Sequence, residues 1–343
     1  MSSNPQPLSE LTSIRVGGVP AEIIEAKTRD DLVERTLELW RTGDDWLILS
    51  GGTNMVVADD VADLHVIKVA NRGIEKIAAG NGKVVLRVQA GESWDDLVAQ
   101  TVDWGLTGLE AMSGIPGLVG AAPVQNIGAY GQELSDTLLR LEFLDYETHE
   151  IGVVEAKDME FGYRTSAIKR GRPGVVTWVE LELIDDAGVS RPLYSTQIAA
   201  DLGVELGAQV PLVDVRNSVL KLRSQKGMLI SATDPDSVSC GSFFTNPIVS
   251  EQFTRTLPFE APRWEDEDDD FKTVKLSAAW LIENAGINKG FALAGSKAAV
   301  SSKHSLAIVN TGGATATEIV QLANYIQQRV SNQWGINLVP EPN

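Results

Sequence analysis

The stretch from Gly105 to Gly131, "GLTGLEAMSGIPGLVGAAPVQNIGAYG", constrains the fold more than any other part of the chain. It carries one charge, prolines at 116 and 123, and five glycines between Gly114 and Gly131. Left as a free loop, it would expose apolar atoms to water. Buried as irregular core, it must satisfy many backbone polar groups internally. Wrapped around a large planar or extended cofactor, its glycines let the backbone come close and the ligand's oxygens take up those polar groups. Gly114, Gly117 and Gly120 do not match G-x-G-x-x-G, and the chain has no P-loop, so a nicotinamide-type Rossmann enzyme and an ATPase are both disfavoured.

A second glycine feature lies upstream. "LILSGGTN" reads as a buried strand delivering Gly51-Gly52 and then Thr53-Asn54, a turn whose backbone N–H groups suit a pyrophosphate. An ordinary tight turn reads equally well from this stretch alone. Around these features the elements alternate. "AEIIEA", "DWLILS" and "LHVIKVA" are expected strands, and "RDDLVERTLELWRTG" is a helix capped by Thr28 or Asp30 and ended by Gly43. A hairpin is expected around Asn81-Gly82, and "SWDDLVAQTVDWG" is another capped helix. "TLLRLEFLDYETHE" and "GVVTWVELELI" resume strand alternation. "VPLVDVRNSVLKLRSQKG" reads as a helix, "SLAIVN" as a strand, and the segment from Thr315 or Thr317 to Gly335 as a long amphipathic helix. At 343 residues the chain exceeds one ordinary core, so two or three domains of α+β character are expected.

Composition limits the partners. A net charge of −18 repels nucleic acid and anionic membrane surfaces. No apolar run is long enough to span a bilayer, and "MSSNPQPLSE" is neither basic nor apolar, so a cytoplasmic protein is expected. A monomer is the expected state, although the sequence itself does not give oligomeric state. The single cysteine, Cys240, excludes an intramolecular disulfide and any multi-cysteine metal site. "WEDEDDD" at 264–270 reads as a solvated loop, since it lacks the spaced glycine of a calcium loop, and no metal site is expected.

Three segments can carry chemistry. "SCGSFFTNP", 239–247, reads as a small, flexible lead-in presenting the Ser242 hydroxyl beside two aromatics. A nucleophilic serine needs a base, yet none of the three histidines (His65, His149, His304) sits in a catalytic signature and no G-x-S-x-G elbow exists. Ser242 is better suited to giving a proton to a strongly basic carbanion-like species. "FGYRTS" places Arg164 where a guanidinium can clamp a carboxylate and offset developing charge, although an isolated arginine is more often a structural ion pair. Glu341, between Pro340 and Pro342, says nothing alone.

Together these segments resemble the flavin-dependent UDP-N-acetylenolpyruvoylglucosamine reductases of cell-wall synthesis. The resemblance runs from "LTSIRVGG" to "LVPEP" and rests on "SGGTN", "SGIPGLVGAAPVQNIGAYGQE", "FGYRTS", "GSFFTNP", "LSAAWLIENAG" and Pro340-Glu341. It implies FAD as cofactor and NADPH as reductant, with hydride passing to the enolpyruvyl group of a UDP-sugar. By resemblance, FAD is held by Ser50, Gly51, Gly52, Thr53, Asn54 and Met55. The second flavin segment contributes Ser113, Gly114, Ile115, Pro116, Gly117, Gly120, Ala121, Gln125, Asn126, Gly128, Ala129 and Tyr130. Arg164 and Glu341 stabilise an enolate-like species and Ser242 protonates it. Substrate contacts are implied at Tyr163, Tyr194 (on "RPLYSTQIAADLG", the inserted loop of the longer class), Arg223, Lys226, Asn246, Lys275 and Asn284. Arg223 and Lys226 supply local positive charge for a diphosphate on an acidic protein.

The implied organisation is α+β: two FAD-binding subdomains, 1–70 and 71–222, an α/β substrate-binding domain, 223–335, and a segment, 336–343, carrying Glu341. Three departures stand out. Thr245 replaces a usual lysine, and Ser50 and Thr53 replace the usual glycine and serine. The chain also stops two residues after Glu341, where the family continues, so fraying of Glu341 and temperature-sensitive activity are expected. Two alternatives remain at this point: a related flavin oxidase acting on another sugar or alcohol, for which Cys240 is the candidate flavin tether, and a nucleotide-sugar sensor without turnover.

Overall fold

A computed structural model describes residues 5–265 and 272–343. Its contacts divide the chain into two units. The first contains residues 20–52 and 62–225, and the second contains 6–19, 53–61 and 226–343. The change of unit at 52/53 falls inside the "SGGTN" motif.

In the first unit, a three-stranded parallel sheet has the order Glu22–Ala26, His65–Val69, Trp46–Leu49. The helix Arg29–Thr42 follows the first strand. The Thr28 hydroxyl accepts from the Asp31 amide at its start, and Gly43 closes it in the left-handed conformation, as a helix C-terminus favours. A larger antiparallel sheet is built on Gly174–Asp185, with Leu138–Asp145 and Lys83–Gln89 on either side. The hairpin partner Ile74–Gly80 turns into Lys83 through Asn81-Gly82, as the sequence predicts. Leu86, Val88, Val179, Leu181 and Leu183 line its buried face, against the helix Trp94–Asp103 and the 3-10 turn Val119–Gln125. Part of the glycine-rich segment therefore belongs to this core, through Val119 and Ala122.

The second unit packs the helices Ala278–Asn284 and Ala316–Trp334 with the short sheet Ser239–Ser242, Ala307–Asn310, Ala298–Val300. Thr315, not Thr317, caps the long helix, through a reciprocal pair with Glu318. The Asp59 carboxylate accepts from the amides of Ala316 and Thr317, placing negative charge at the positive end of that helix. Ile14 and Val16 are buried in the same cluster as Ile336 and Leu338. Strands Ile248–Ser250, Thr273–Leu276 and Arg263–Glu265 form a further sheet. Of the acidic run at 264–270, Trp264 and Glu265 lie in that last strand, and 266–270 lie outside the described residues.

Candidate functional site

The two glycine features meet in the first unit. A Cβ built on Gly51 would lie 2.7 Å from the Gly117 Cα, so the backbones touch and no larger residue fits without a shift. Beside Gly51, the Ser50 hydroxyl is buried with no hydrogen-bond partner among the described residues. A buried polar atom is ordinarily satisfied, so this one suits a ligand oxygen. The second segment is stitched to its neighbours: Trp94 N donates to Gly117 O (3.0 Å), Val119 N to Glu92 O (2.8 Å) and Gly120 N to Ala90 O (2.8 Å). Gly120 permits this approach, since a Cβ there would lie 2.5 Å from the Ala90 Cβ. A glycine turn touching a glycine-rich segment, with an orphan hydroxyl beside the contact, fits FAD.

Side chains fix the ends of this segment. Asp95 accepts from Gly114 N and holds Arg216 by two bonds of 2.6 and 2.9 Å. Burial raises the Asp95 carboxyl pKa, but Arg216 and the Gly114 amide overcome that and leave it below the usual range. Arg223, implied as a substrate contact, donates from Nε to Gly114 O at 3.1 Å. Burial pushes its guanidinium pKa down, opposed by Tyr130 and Asp95. Arg223 thus fastens the Gly114 end of the glycine-rich segment. Ser113 is fully buried and donates to Glu110 O at 2.7 Å, Ile115 packs on the core, and the Ala121 amide donates to Leu118 O (3.1 Å).

Downstream, Asn126 adopts a positive φ of 47°. Its side chain accepts from Ser135 N (3.0 Å) and donates to Glu133 (2.9 Å), which ties the loop together. The Gln125 side-chain Oε1 accepts from the Lys169 ammonium at 3.3 Å. Gly128-Ala129 pairs with Gln132-Glu133 across a turn in which Tyr130 and Gly131 both have positive φ. Burial raises the Tyr130 pKa. Arg164, also at positive φ, donates to Asn126 O (3.3 Å) and to Gly128 O, lies 3.8 Å from the Glu133 carboxylate and stands over the Tyr163 ring. A left-handed arginine is uncommon and marks a constrained position. Tyr194 is 75% exposed, with its Cβ 3.2 Å from where a Gly131 Cβ would stand.

In the second unit, Ser242 ends the strand Ser239–Ser242, which pairs with Ala307–Asn310. The lead-in predicted to be flexible is therefore a strand, irregular at Gly241, whose φ of 78° accompanies a register shift. Phe243 and Phe244 turn into the core and meet edge to face. The expected fraying of Glu341 is also overturned. Its N–H donates to Phe243 O (2.9 Å), Thr245 N donates to Val339 O (3.0 Å), and Asn54 Nδ2 donates to Glu341 O (3.4 Å). Where the family has lysine, the Thr245 hydroxyl donates to Val339 O.

The remaining implied residues are spread through the same unit. Asn246 accepts from Ala278 N (3.0 Å) at the start of a helix, and Lys275 lies on the strand Thr273–Leu276. Asn284 bonds its own helix at Trp280 O. Lys226 lies near His304, whose pKa is pushed down to about 4 by burial, then by Lys226 and Lys289. An imidazole that weak is poorly matched to general-base work near neutrality, which disfavours the serine-hydrolase reading. Burial pushes the Cys240 thiol up to about 12, so it stays protonated and unreactive.

Sequence reasoning missed Asp95, Arg216 and Glu133. Asp95 shows in sequence only as an acidic residue in a first helical turn, and its ion-pair partner is more than a hundred residues away. Among the described residues, no cluster of potential ligands could hold a metal ion, and no helix is long and apolar enough to cross a membrane.

Comparison with known proteins agrees with this geometry. Residues 20–151 match a family described as an FAD binding domain. Residues 234–343 match the C-terminal domain of UDP-N-acetylenolpyruvoylglucosamine reductase. A protein of that name from Leifsonia xyli is 50% identical over 370 aligned residues, covering 99% of this chain and 98% of the relative. Another from Thermobifida fusca is 42% identical, covering 98% and 96%. In fold, the crystal structure of the reductase from Thermus caldophilus is similar with a TM-score of 0.65, covering 98% of this chain and 97% of that one at 24% identity. With half its residues identical to a relative along almost its whole length, this chain belongs to the UDP-N-acetylenolpyruvoylglucosamine reductase family.

Proposed function

We propose that this protein reduces UDP-N-acetylglucosamine enolpyruvate to UDP-N-acetylmuramate with NADPH and FAD, a step in peptidoglycan precursor synthesis. The end-to-end likeness to reductases of that name carries the reading. FAD, when bound, supplies the hydride carrier between NADPH and the terminal vinyl carbon. Ser50 to Asn54 and the 113–130 segment would hold it, with the Gly51 and Gly117 backbones giving it close approach.

The chain's own groups handle the charge that follows. Hydride addition at the vinyl terminus leaves negative charge on the adjacent carbon and its carboxylate. Arg164, pre-set by the Gly128 and Asn126 carbonyls, offsets that charge without reorganising. Glu341 assists an enolate only as an O–H donor, so the protonated acid is the acting form. Ser242 then gives its hydroxyl proton to the carbon, which requires a strong base and no histidine. Tyr163, Tyr194, Arg223, Lys226, Asn246, Lys275 and Asn284 would orient the UDP-sugar. Residues 1–70 and 71–222 would act as two flavin-binding subdomains, 223–335 as the substrate-binding domain, and 336–343 as the segment presenting Glu341. The reaction would run in the cytoplasm, with the chain as a monomer. A protonated Cys240 speaks against the covalently tethered oxidase.

Anaerobic spectroscopy tests the reading. Flavin bands should bleach with NADPH and return with the enolpyruvyl UDP-sugar. In Ser242→Ala, bleaching should persist while product formation falls by about a thousandfold or more. Flavin that the sugar nucleotide does not reoxidise would overturn the assignment.

A further inference from the structure

We infer that Asn54 is a positioning residue for Glu341: the last residue of the "SGGTN" turn doubles as one half of a clasp on the catalytic tail. This rests on the reductase reading above. The tail runs between two partners. On one edge, Glu341 N donates to Phe243 O (2.9 Å) and Thr245 N to Val339 O (3.0 Å), with Phe244 and Pro340 forming an antiparallel bridge. On the other edge, Asn343 N donates to Asn54 O (3.2 Å), Val56 N to Asn343 O (2.9 Å), and Asn54 Nδ2 to Glu341 O (3.4 Å).

The two edges do different work. The Phe243 edge continues directly from Ser242, so it sets the height of Glu341 relative to the proton donor. The Asn54 edge stops rotation of the tail about that single line of bonds. Val56 packs against the buried core and Leu338 is itself buried, so both strands of the clasp are anchored. Glu341's own amide and carbonyl are each engaged, one by Phe243 and the other by Asn54, which fixes the plane from which its side chain leaves. Only an amide side chain suits position 54. Alanine removes the donor, and aspartate turns a carboxylate oxygen toward the Glu341 carbonyl.

Half-reactions and hydrogen exchange on the holoenzyme test this. With Asn54→Ala, reoxidation of reduced flavin by the enolpyruvyl UDP-sugar should slow by about 10- to 100-fold, the scale expected when a catalytic group is displaced by about 1 Å. Bleaching by NADPH, read per bound flavin, should slow by a smaller factor than reoxidation does. In a Glu341→Gln background the same change should have no further effect, because its action passes through Glu341. Amides of residues 339–343 should exchange faster in Asn54→Ala, and faster still in Asn54→Asp, while 114–131 keep wild-type protection. An equal loss of reoxidation rate in both backgrounds would overturn the inference, as would flavin loss with unchanged exchange at 339–343. If the wild type itself is bleached but never restored by the sugar nucleotide, the reductase reading fails, and the exchange data still decide the clasp.

Discussion

Two stretches expected to meet ligand are held in opposite ways. In the first unit, the segment from Gly114 is fastened at its ends by side chains: Asp95 and Arg223 on the Gly114 peptide, Asn126 and Glu133 downstream. In the second, the Ser242–Thr245 and Val339–Asn343 stretches are fastened chiefly by their own main chains, to which the Asn54 side chain adds a bond on Glu341 O. The difference governs what substitution can do. A side-chain lock fails when one residue is changed, whereas a main-chain lock tolerates any residue that keeps its N–H and its conformation.

The largest effect should follow from attacking the side-chain lock. Asp95→Ala leaves Arg216 and Gly114 N without their acceptor and should cost about 2–4 kcal/mol in urea unfolding, with weakened flavin retention. A loss below about 0.5 kcal/mol would show that the lock is ornamental.

Next comes pH, which separates the units through His304. Its folded pKa of about 4 lies below the ordinary 6.5, so between those values the unfolded chain binds a proton that the folded one refuses. Stability should be complete above about pH 6.5 and fall toward pH 4, by up to about 3 kcal/mol. His304→Gln should flatten the profile in that window. The lowered carboxyls of Asp95, Glu142 and Asp236 contribute lower down, as pH falls through their own range.

Gly51→Ala tests the backbone contact with Gly117. Overpacking there should cost about 1–3 kcal/mol and reduce the flavin absorbance per protein. Alanine with full flavin content would mean that the Gly117 backbone can yield. The smallest effect should come from Thr245→Ala. The hydroxyl bond to Val339 O is lost but the Thr245 amide bond to the same oxygen remains, so a change under about 0.5 kcal/mol is expected in thermal unfolding.

The same contrast explains what could be read from the sequence. Helix ends were legible because their signals are local: Thr28, Ser93 and Thr315 cap as their positions suggest, and Asn81-Gly82 turns a hairpin. The glycine turn and segment were legible because glycine is required where backbones touch. Arg223 was legible only as a cation, and its bond to Gly114 O, across more than a hundred residues, was not. Least legible was the fastening of Glu341, since a main-chain bond from Glu341 N to Phe243 O leaves no trace in residue type.

The burial of Ile14 and Val16 alongside Ile336 and Leu338 has a consequence for the protein's birth on the ribosome. Ile14 and Val16 must wait for residues made roughly 320 positions later, and at about 5–20 residues per second that delay is on the order of 15 to 65 s. Throughout that interval the Ile14 and Val16 side chains have no final core to enter, so shielding by a chaperone matters for the segment around them. The first unit ends at Gln225, so all of its residues are made while its neighbour is still being translated.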